Sequence, residues 1–290
     1  MHRLPEIDGA AEQTVMRLGI LSDIHIDANR RHGDRVTPAL IAAANTRELD
    51  WFILAGDIAG NYRTTLDILG RLEREIDAGV LFVPGNHDIW NREHPDMSSW
   101  DIYHALREFP GNLANGPREL GNGWRAVGDM GWYDFGFGGS GYSHREFERM
   151  EIAGRVWRDR LYASWGEPTR DVHAFFMERL RSWLAAGDGH RTVMVTHVVP
   201  VVDFLVTFRR ELWNYLNAFL GSPEYGQLAW EHNVPYAVCG HVHFRRDKTI
   251  RGTRFICNCL GYSGQWRKKD DPVAEVDDSL VTIELDRNDA

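Results

Sequence analysis

Five short polar clusters along the chain combine carboxylate, imidazole and amide side chains. They are Asp23-Ile24-His25, Gly56-Asp57, Gly85-Asn86-His87-Asp88, His197 and Gly240-His241-Val242-His243. This mixture of oxygen and nitrogen donors suits Mn, Fe, Zn or Ni rather than Ca. Taken singly, each cluster is weak evidence, because such short motifs also occur in capped turns and surface polar pairs. Their number and their order point to a metal site.

Each cluster follows a short apolar run that is typical of a buried strand. These runs are Arg17–Ser22, Trp51–Leu54, Val80–Val83, Thr192–Thr196 and Tyr236–Cys239. Two further strands are predicted at Arg254–Cys259 and Leu280–Leu285. Because ligands bind at the carboxyl ends of strands in open α/β sheets, the five clusters are expected to converge on one site. The glycines before Asp57, Asn86 and His241 would let the backbone turn sharply after each strand.

Helical patterns separate these strands. Thr37–Leu49 opens with Thr and Pro, which suit an N-cap and the first helical position, and Thr64–Ile76 has apolar residues at helical spacing. Strands alternating with helices in this way favour parallel βαβ units. Two more helical runs are predicted at Arg145–Trp157 and Asp171–Ala185, and Asp203–Leu220 has the pattern of an amphipathic helix.

The middle of the chain, about residues 89–185, is rich in Trp, Tyr, Phe and Arg. Since no Pro/Gly/Ser-rich linker divides the sequence, we expect one domain over residues 1–290 with an insertion at about 89–185. Trp132 and Tyr133 are candidates to contact the substrate, although packing in the core is the favoured alternative. The arginines of this region alternate with acidic residues, which predicts a solvated face, but one or two of them could grip a phosphate.

The composition excludes several classes of protein. With 290 residues, 26% of them charged and 43% hydrophobic, the chain has ample length for a globular core. The net charge of −9 argues against binding to nucleic acid backbones. No apolar run could span a membrane, and the first twenty residues lack the pattern of a secretory signal. The three cysteines are too few for a disulfide framework, which favours a cytoplasmic protein.

The ordered set DxH, GD, GNHD, H and GHxH, from Asp23 to His243, resembles the motifs of the calcineurin-like metallophosphoesterases, and of their bacterial phosphoesterase branch in particular. The resemblance implies an α/β fold, a four-layer α/β/β/α sandwich with mixed β-sheets and a helical and aromatic insertion. It also implies two divalent or trivalent metal ions, Mn, Fe, Zn or Ni. The implied ligands are Asp23, His25 and His243 for one ion and Asn86, His197 and His241 for the other, with Asp57 bridging both.

The resemblance places His87 beside the metal pair without binding either ion. Two cations roughly 3.5–4 Å apart can hold a bridging hydroxide that attacks phosphorus, and they can clamp the phosphoryl oxygens. Imidazole titrates near the working pH, so His87 is the expected general acid for the leaving alkoxide. Asp88 and Asp27 are candidates to orient the ligand histidines.

The predicted activity is hydrolysis of a phosphodiester or phosphomonoester of a small organic molecule. Protein Ser/Thr phosphatases of the superfamily carry a second Asp three residues after the bridging one. That position is Gly60 here, which argues against a protein phosphatase. A nuclease is an alternative that the acidic balance disfavours. A non-catalytic binding or scaffold protein on the same fold is another, but such proteins typically lack the acid histidine or several ligands.

Overall fold

The computed structural model describes residues 15–208 and 210–286. Its strands are β1 (Val15–Leu21), β2 (Trp51–Leu54), β3 (Gly79–Phe82), β4 (Arg118–Gly121), β5 (Trp124–Gly128), β6 (Glu151–Ile152), β7 (Arg155–Val156), β8 (Thr192–Val195), β9 (Tyr236–Cys239), β10 (Arg245–Ile250), β11 (Thr253–Asn258) and β12 (Val281–Asp286). Its α-helices are α1 (Val36–Thr46), α2 (Tyr62–Glu75), α3 (Ser99–Leu106), α4 (His144–Glu148), α5 (Asp159–Tyr162), α6 (Thr169–Ala185), α7 (Arg210–Leu216), α8 (Pro223–Glu231) and α9 (Pro272–Ser279).

Two mixed sheets form the centre of the protein. The smaller sheet has the order β12-β1-β2-β3, in which β12 is antiparallel to β1 and the other pairs are parallel. The larger sheet has the order β10-β11-β9-β8-β5-β4, with antiparallel pairs only at its two edges. The parallel β1, β2, β3, β8 and β9 are the strands that precede the five polar clusters.

Hydrophobic side chains fill the space between the two sheets. Leu18 and Ile20 of β1 pack there with Val193 and Val195 of β8, and all four are buried. The outer face of the smaller sheet is covered by α1, α2 and α9, and that of the larger sheet by α6 and α8. The predicted four-layer α/β/β/α sandwich with mixed sheets is therefore confirmed.

The start of α1 differs from the prediction. The helix begins at Val36, because a 3-10 turn over Arg30–Arg35 runs directly into it. Thr37 therefore lies inside the helix rather than at its N-cap, and its buried hydroxyl has no hydrogen-bond partner among the described residues. Pro38 is tolerated one turn in, since the first N–H groups of a helix have no intrahelical partner.

The predicted helix over Arg145–Trp157 is wrong beyond its first turn. Only α4 is helical, and the chain then forms the hairpin of β6 and β7. The two residues between these strands, Ala153 and Gly154, have φ values of 49° and 73°. Positive φ at both positions gives the tight turn that best matches the twist of paired strands.

The predicted continuous helix over Asp203–Leu220 is also wrong. It is replaced by two 3-10 turns and α7, and residue 209 of this range lies outside the described residues. Asn217 explains part of the break, because its side chain accepts from Val206 N and donates to Val206 O, at 3.2 and 3.1 Å. These bonds tie Val206, which lies outside any helix, to the turn that follows α7.

The range 89–185, expected to be an insertion, also contributes to the main fold. Its strands β4 and β5 belong to the larger sheet, and its α6 packs on the outer face of that sheet. Residues 1–14, where no secretory signal is predicted, lie outside the described residues. None of the helices within the described residues has the length and apolar composition needed to cross a bilayer.

Candidate metal centre

The five polar clusters meet at the carboxyl ends of their strands. Backbone hydrogen bonds join the loops within and between the two sheets, among them Asp23 N to Gly56 O at 2.9 Å and Gly240 N to His197 O at 2.8 Å. The N–H of His241 also donates to both carboxylate oxygens of Asp23, at 3.0 Å each. The expected convergence is therefore a product of parallel strands that end at one edge of each sheet.

The first group of donor atoms comes from Asp23, His25, Asp57 and His243. His25 Nε2 lies 2.9 Å from His243 Nε2, and His243 Nε2 lies 3.4 Å from Asp23 Oδ1. The distance from His25 Nε2 to Asp57 Oδ2 is 3.7 Å. Ligands at about 2.1 Å from a cation stand roughly 3–4 Å from one another, so this spacing fits a metal ion.

The second group comes from Asp57, Asn86, His197 and His241. His197 Nε2 and His241 Nδ1 lie 3.1 Å apart, and each is close to Asn86 Oδ1, at 3.1 and 3.0 Å. His197 Nε2 is 3.4 Å from Asp57 Oδ1. The two oxygens of Asp57 thus point to different groups, Oδ2 to the first and Oδ1 to the second, so this carboxylate is placed to serve both groups.

Three of the candidate ligand histidines have their tautomer set by the protein. In each, one ring nitrogen faces an oxygen that can only accept a hydrogen bond, so that nitrogen carries the proton and the other directs its lone pair into the site. The bonds run from His197 Nδ1 to Ala55 O (2.8 Å), from His241 Nε2 to Phe219 O (3.1 Å) and from His243 Nδ1 to Gln265 Oε1 (3.0 Å).

The electrostatics of the site favour a bound cation. Burial, together with the nearby Asp23 and Asp88, raises the pKa of Asp57 well above its usual value. Burial lowers the pKa of His25 well below its usual value and that of His241 to about 3. A metal ion binds the deprotonated forms of carboxylates and imidazoles. The buried imidazoles are already neutral, and a cation would stabilise the negative charge of a buried carboxylate. The donor set therefore fits the implied metals.

Backbone strain is concentrated at these residues. Five of the seven candidate ligands have a left-handed backbone, with φ between 41° and 76°: Asp23, His25, Asp57, His241 and His243. A non-glycine residue in this region costs about 1–3 kcal/mol, and such residues cluster at functional sites. This observation is independent of the motifs and supports the same location for the site.

Two of the glycines in the motifs are required for different reasons. Gly56 has φ of +87°, so it makes the turn that the sequence predicts. Gly85 is needed for space, because a Cβ there would lie 2.1 Å from Asp57 Oδ1 and 2.4 Å from Asp57 N. A side chain at residue 85 would displace the carboxylate that faces both groups of donors.

Asp88 holds the loop that carries Asp57. Its carboxylate is fully buried and accepts five hydrogen bonds, none of them from a histidine ring. The donors are Asp57 N and Gly85 N (2.8 Å each), Ile58 N (3.0 Å), Ala59 N (3.2 Å) and Thr65 Oγ1 (2.7 Å). Asp27 makes a similar but single bond, accepting from Gly60 N at 3.1 Å. Both carboxylates orient backbone rather than the ligand imidazoles.

Asp159 is a buried carboxylate that the sequence pattern misses. It lies among charges that alternate at helical spacing, which predicts a solvated face, yet it is only 1% exposed. Its four hydrogen-bond donors are Asn86 Nδ2, Trp90 Nε1 and Trp157 Nε1 (2.8 Å each) and Tyr133 OH (3.3 Å). The bond to Asn86 turns Oδ1 of that amide towards His197 and His241.

The two aromatic candidates lie in the interior. Trp132 is 1% exposed and Tyr133 is fully buried, and their rings stack with centroids 4.6 Å apart. Tyr133 contacts the candidate metal centre indirectly, because it donates to Asp159 at 3.3 Å and Asp159 in turn accepts from Asn86. Tyr262, which the motif search passes over, lies closer, because its ring centroid is 4.6 Å from those of both His25 and His243.

His87 lies at the edge of the two donor groups. Its Nε2 is 3.9 Å from Asp57 Oδ2, and its ring stacks on that of Trp90 with centroids 3.7 Å apart. Burial lowers the pKa of His87 well below its usual value. Since a bound phosphate ester brings negative charge to the imidazole, substrate would raise this pKa again.

Comparison with known proteins identifies the family of this chain. Residues 16–245 match the family model for calcineurin-like phosphoesterases. The acyl-carrier-protein phosphodiesterase PptH of Mycobacterium tuberculosis is 27% identical over 251 residues, which cover 76% of this chain and 71% of that protein.

Two solved structures share the fold. The crystal structure of phosphopantetheinyl hydrolase PptH from Mycobacterium tuberculosis has a TM-score of 0.71 at 23% identity, over 93% of this chain and 96% of that chain. A dimetal phosphatase from Danio rerio has a TM-score of 0.52 at 13% identity, over 90% of each chain. Because the family match spans most of the sequence, the chain belongs to the calcineurin-like phosphoesterase family and is a hydrolase of phosphoric esters.

Proposed function

We propose that this protein hydrolyses a phosphodiester, and that its substrate is the phosphopantetheinyl diester of an acyl carrier protein. The likeness to PptH over three quarters of the chain carries the proposal, since that relative is named as a phosphodiesterase of this substrate. The expectation of a small-molecule ester is thereby extended to a small phosphodiester attached to a protein. The absence of an Asp at Gly60 agrees with a diesterase rather than a protein phosphatase.

We assign Asp23, His25 and His243 to one metal ion and Asn86, His197 and His241 to a second, with Asp57 shared. The opposed oxygens of Asp57 and the directed lone pairs of the histidines support this assignment. When bound, the two metals would neutralise phosphoryl charge and lower the pKa of a water nucleophile. The protein contributes a rigid set of donors, because Asp88 holds the backbone of Asp57 and Asp159 orients the Asn86 amide.

We assign the role of general acid to His87. Its ring is within 4 Å of the shared carboxylate but is not part of either donor group, so it is free to face the leaving oxygen. The stacked Trp90 fixes the plane of the imidazole. A proton delivered from His87 to the departing alkoxide avoids the release of a strongly basic oxyanion, which is the barrier that general acids lower.

Hydrolysis assays with Mn²⁺ test the proposal. The wild-type protein is expected to hydrolyse bis(p-nitrophenyl) phosphate and to release 4′-phosphopantetheine from a holo-acyl carrier protein. His87→Ala is expected to lower kcat by about 10²–10⁴ on the carrier protein with metal content unchanged, and to lower it less for the p-nitrophenyl ester, whose leaving group needs little protonation. His104→Ala, a change at an exposed histidine of α3, is the matched control. No turnover of any phosphate ester with any of Mn, Fe, Zn or Ni would refute the proposal.

A further inference from the structure

We propose that the cavity on the His87 side of the site holds the leaving group, and that the arginines at its rim receive the acidic surface of the protein that carries the diester. This inference rests on the proposed diesterase function and specifies where the carrier protein binds. It depends on three observations: the division of the site into two cavities, the position of His87 between them, and the charge of the rim.

Two cavities meet at the candidate metal centre. The smaller, of about 270 Å³, is lined by the candidate ligands Asp57, Asn86, His241 and His243. The larger, of about 730 Å³, has none of the seven candidate ligands among its lining residues. Four residues line both cavities and mark the boundary between them: His87, Trp90, Arg158 and Tyr262.

The position of His87 indicates which of the two cavities holds the leaving group. A general acid must lie within hydrogen-bonding reach of the oxygen that it protonates. The phosphoryl group lies over the metal ligands in the smaller cavity, so the bond that breaks points to the boundary where His87 stands. The group that leaves therefore extends into the larger cavity. In a phosphopantetheinyl diester this group is the hydroxyl side chain of the carrier protein together with the protein surface around it.

The larger cavity is rimmed by cations without acidic partners. Arg30, Arg92 and Arg158 are exposed, and within residues 15–208 and 210–286 none of them forms an ion pair. Arg92 lies over the ring of Tyr162, with its guanidinium carbon 5.7 Å from the centroid.

Some exposed arginines elsewhere in the protein form ion pairs. Arg160 lies 2.8 Å from Glu151, and Arg254 lies 2.6 Å from Asp247.

The two carboxylates of this cavity do not cancel the positive charge of the three arginines at its rim. Asp27 accepts a hydrogen bond from Gly60 N at 3.1 Å, and Glu93 accepts one from Asn61 Nδ2 at 2.5 Å. These neutral donors leave both carboxylates charged, but three arginines against two carboxylates still give the charged residues of the lining a positive balance. Such a rim attracts an anionic surface and steers its approach.

Arg158 differs from the other two arginines because it lines both cavities. Its neighbours Trp157 and Asp159 are hydrogen-bonded to each other at 2.8 Å, and Asp159 also holds Asn86. The backbone of Arg158 is thereby anchored beside the metal ligands, and its guanidinium can reach the phosphoryl group. Arg30 and Arg92 line only the larger cavity, so they are assigned to the carrier protein alone.

Charge reversal tests this assignment. The double variant Arg30→Glu, Arg92→Glu is expected to raise KM for an acidic holo-acyl carrier protein about tenfold, because like charges then face each other across the interface. It is expected to leave kcat/KM for bis(p-nitrophenyl) phosphate within twofold of wild type. Arg158→Gln is expected to lower kcat/KM for both substrates. The control Arg74→Glu, Arg170→Glu makes the same change of charge at exposed positions that line neither cavity.

Each outcome decides between the two proposals. Equal KM values for the carrier protein in wild type and the Arg30→Glu, Arg92→Glu variant would overturn the inference and leave the diesterase function standing. An equal loss on both substrates would also overturn it, because the rim would then act on the phosphoryl group. A wild-type enzyme that hydrolyses bis(p-nitrophenyl) phosphate but not the carrier protein would overturn the proposed substrate and, with it, this interface.

Discussion

Asp159→Asn is the most informative single substitution in this protein. The carboxylate of Asp159 accepts from Asn86 and Trp90 at Oδ1 and from Trp157 and Tyr133 at Oδ2. An asparagine has the same shape but presents an NH₂ group in place of one oxygen. At the Oδ1 position this NH₂ would face Asn86 Nδ2 and Trp90 Nε1. At the Oδ2 position it would face Trp157 Nε1, while the Tyr133 hydroxyl can rotate to accept from it. One or two donors would therefore lose their acceptor.

The structure sets the expected magnitudes. A buried donor without a partner costs about 1–3 kcal/mol, so one or two of them would cost about 1–6 kcal/mol before any relaxation. Burial raises the pKa of Asp159, which means that removing its charge returns part of this free energy. We therefore expect a loss of about 3 kcal/mol in the free energy of unfolding. Because the bond to Asn86 orients a proposed metal ligand, metal affinity is expected to fall about 10–100-fold.

Asp129→Asn is the matched control. Asp129 is as deeply buried as Asp159, but it accepts from Tyr103 OH (3.0 Å), Arg179 Nε (2.8 Å) and Met130 N (2.9 Å). Its substitution is expected to destabilise the fold while leaving the metal content at the wild-type level.

The assay combines urea unfolding, metal analysis after dialysis against limiting Mn²⁺, and kcat/KM for bis(p-nitrophenyl) phosphate. Wild-type metal affinity in Asp159→Asn, or an equal loss of metal in both variants, would refute the reasoning.

Three further predictions follow from buried groups. Asp88→Asn removes the acceptor of several hydrogen bonds and is expected to lower the free energy of unfolding by about 3 kcal/mol. Thr65→Val removes one of these bonds and is expected to lower it by about 1 kcal/mol. Urea unfolding of both variants checks this prediction, and equal losses would contradict it. Chelation of the metals is expected to lower the free energy of unfolding by about 3 kcal/mol for each of the two proposed sites, relative to protein in Mn²⁺ at 100 times the Kd of that site. An unchanged unfolding midpoint would count against a metal centre. Burial raises the pKa of Cys259 well above its usual value, so this side chain stays a protonated thiol at pH 8. Cys239 and Cys257 are also buried. Ellman's reagent is therefore expected to detect three thiols in urea and none in the native protein.

The motifs of the candidate ligands were readable from the sequence because they are local. Each consists of an apolar run and the few polar residues after it. The change from apolar to polar residues marks the end of the strand. The runs Trp51–Leu54 and Tyr236–Cys239 coincide with β2 and β9. Other elements were missed or misjudged where the local signal was poor. The edge strands β4 and β10 carry mostly charged and polar residues, and the hairpin of β6 and β7 depends on two residues with positive φ.

Long-range contacts decided the rest of the site. The oxygens that set the tautomers of His197 and His241 belong to the backbone of Ala55 and Phe219. Because every residue has a backbone carbonyl, the residue types at these positions do not predict the contacts. Asp159 has the local pattern of a surface charge, and only the packing of Trp90 and Trp157 around it makes it a buried acceptor.

The arginines of the middle region are equivalent in sequence, and the fold alone brings Arg158 to the boundary of both cavities. The sequence by itself therefore determined which side chains are the candidate ligands, since those follow their strands directly. Only the tertiary structure decided which distant groups orient those side chains and which cations face the opening, because these depend on segments that the chain order keeps far apart.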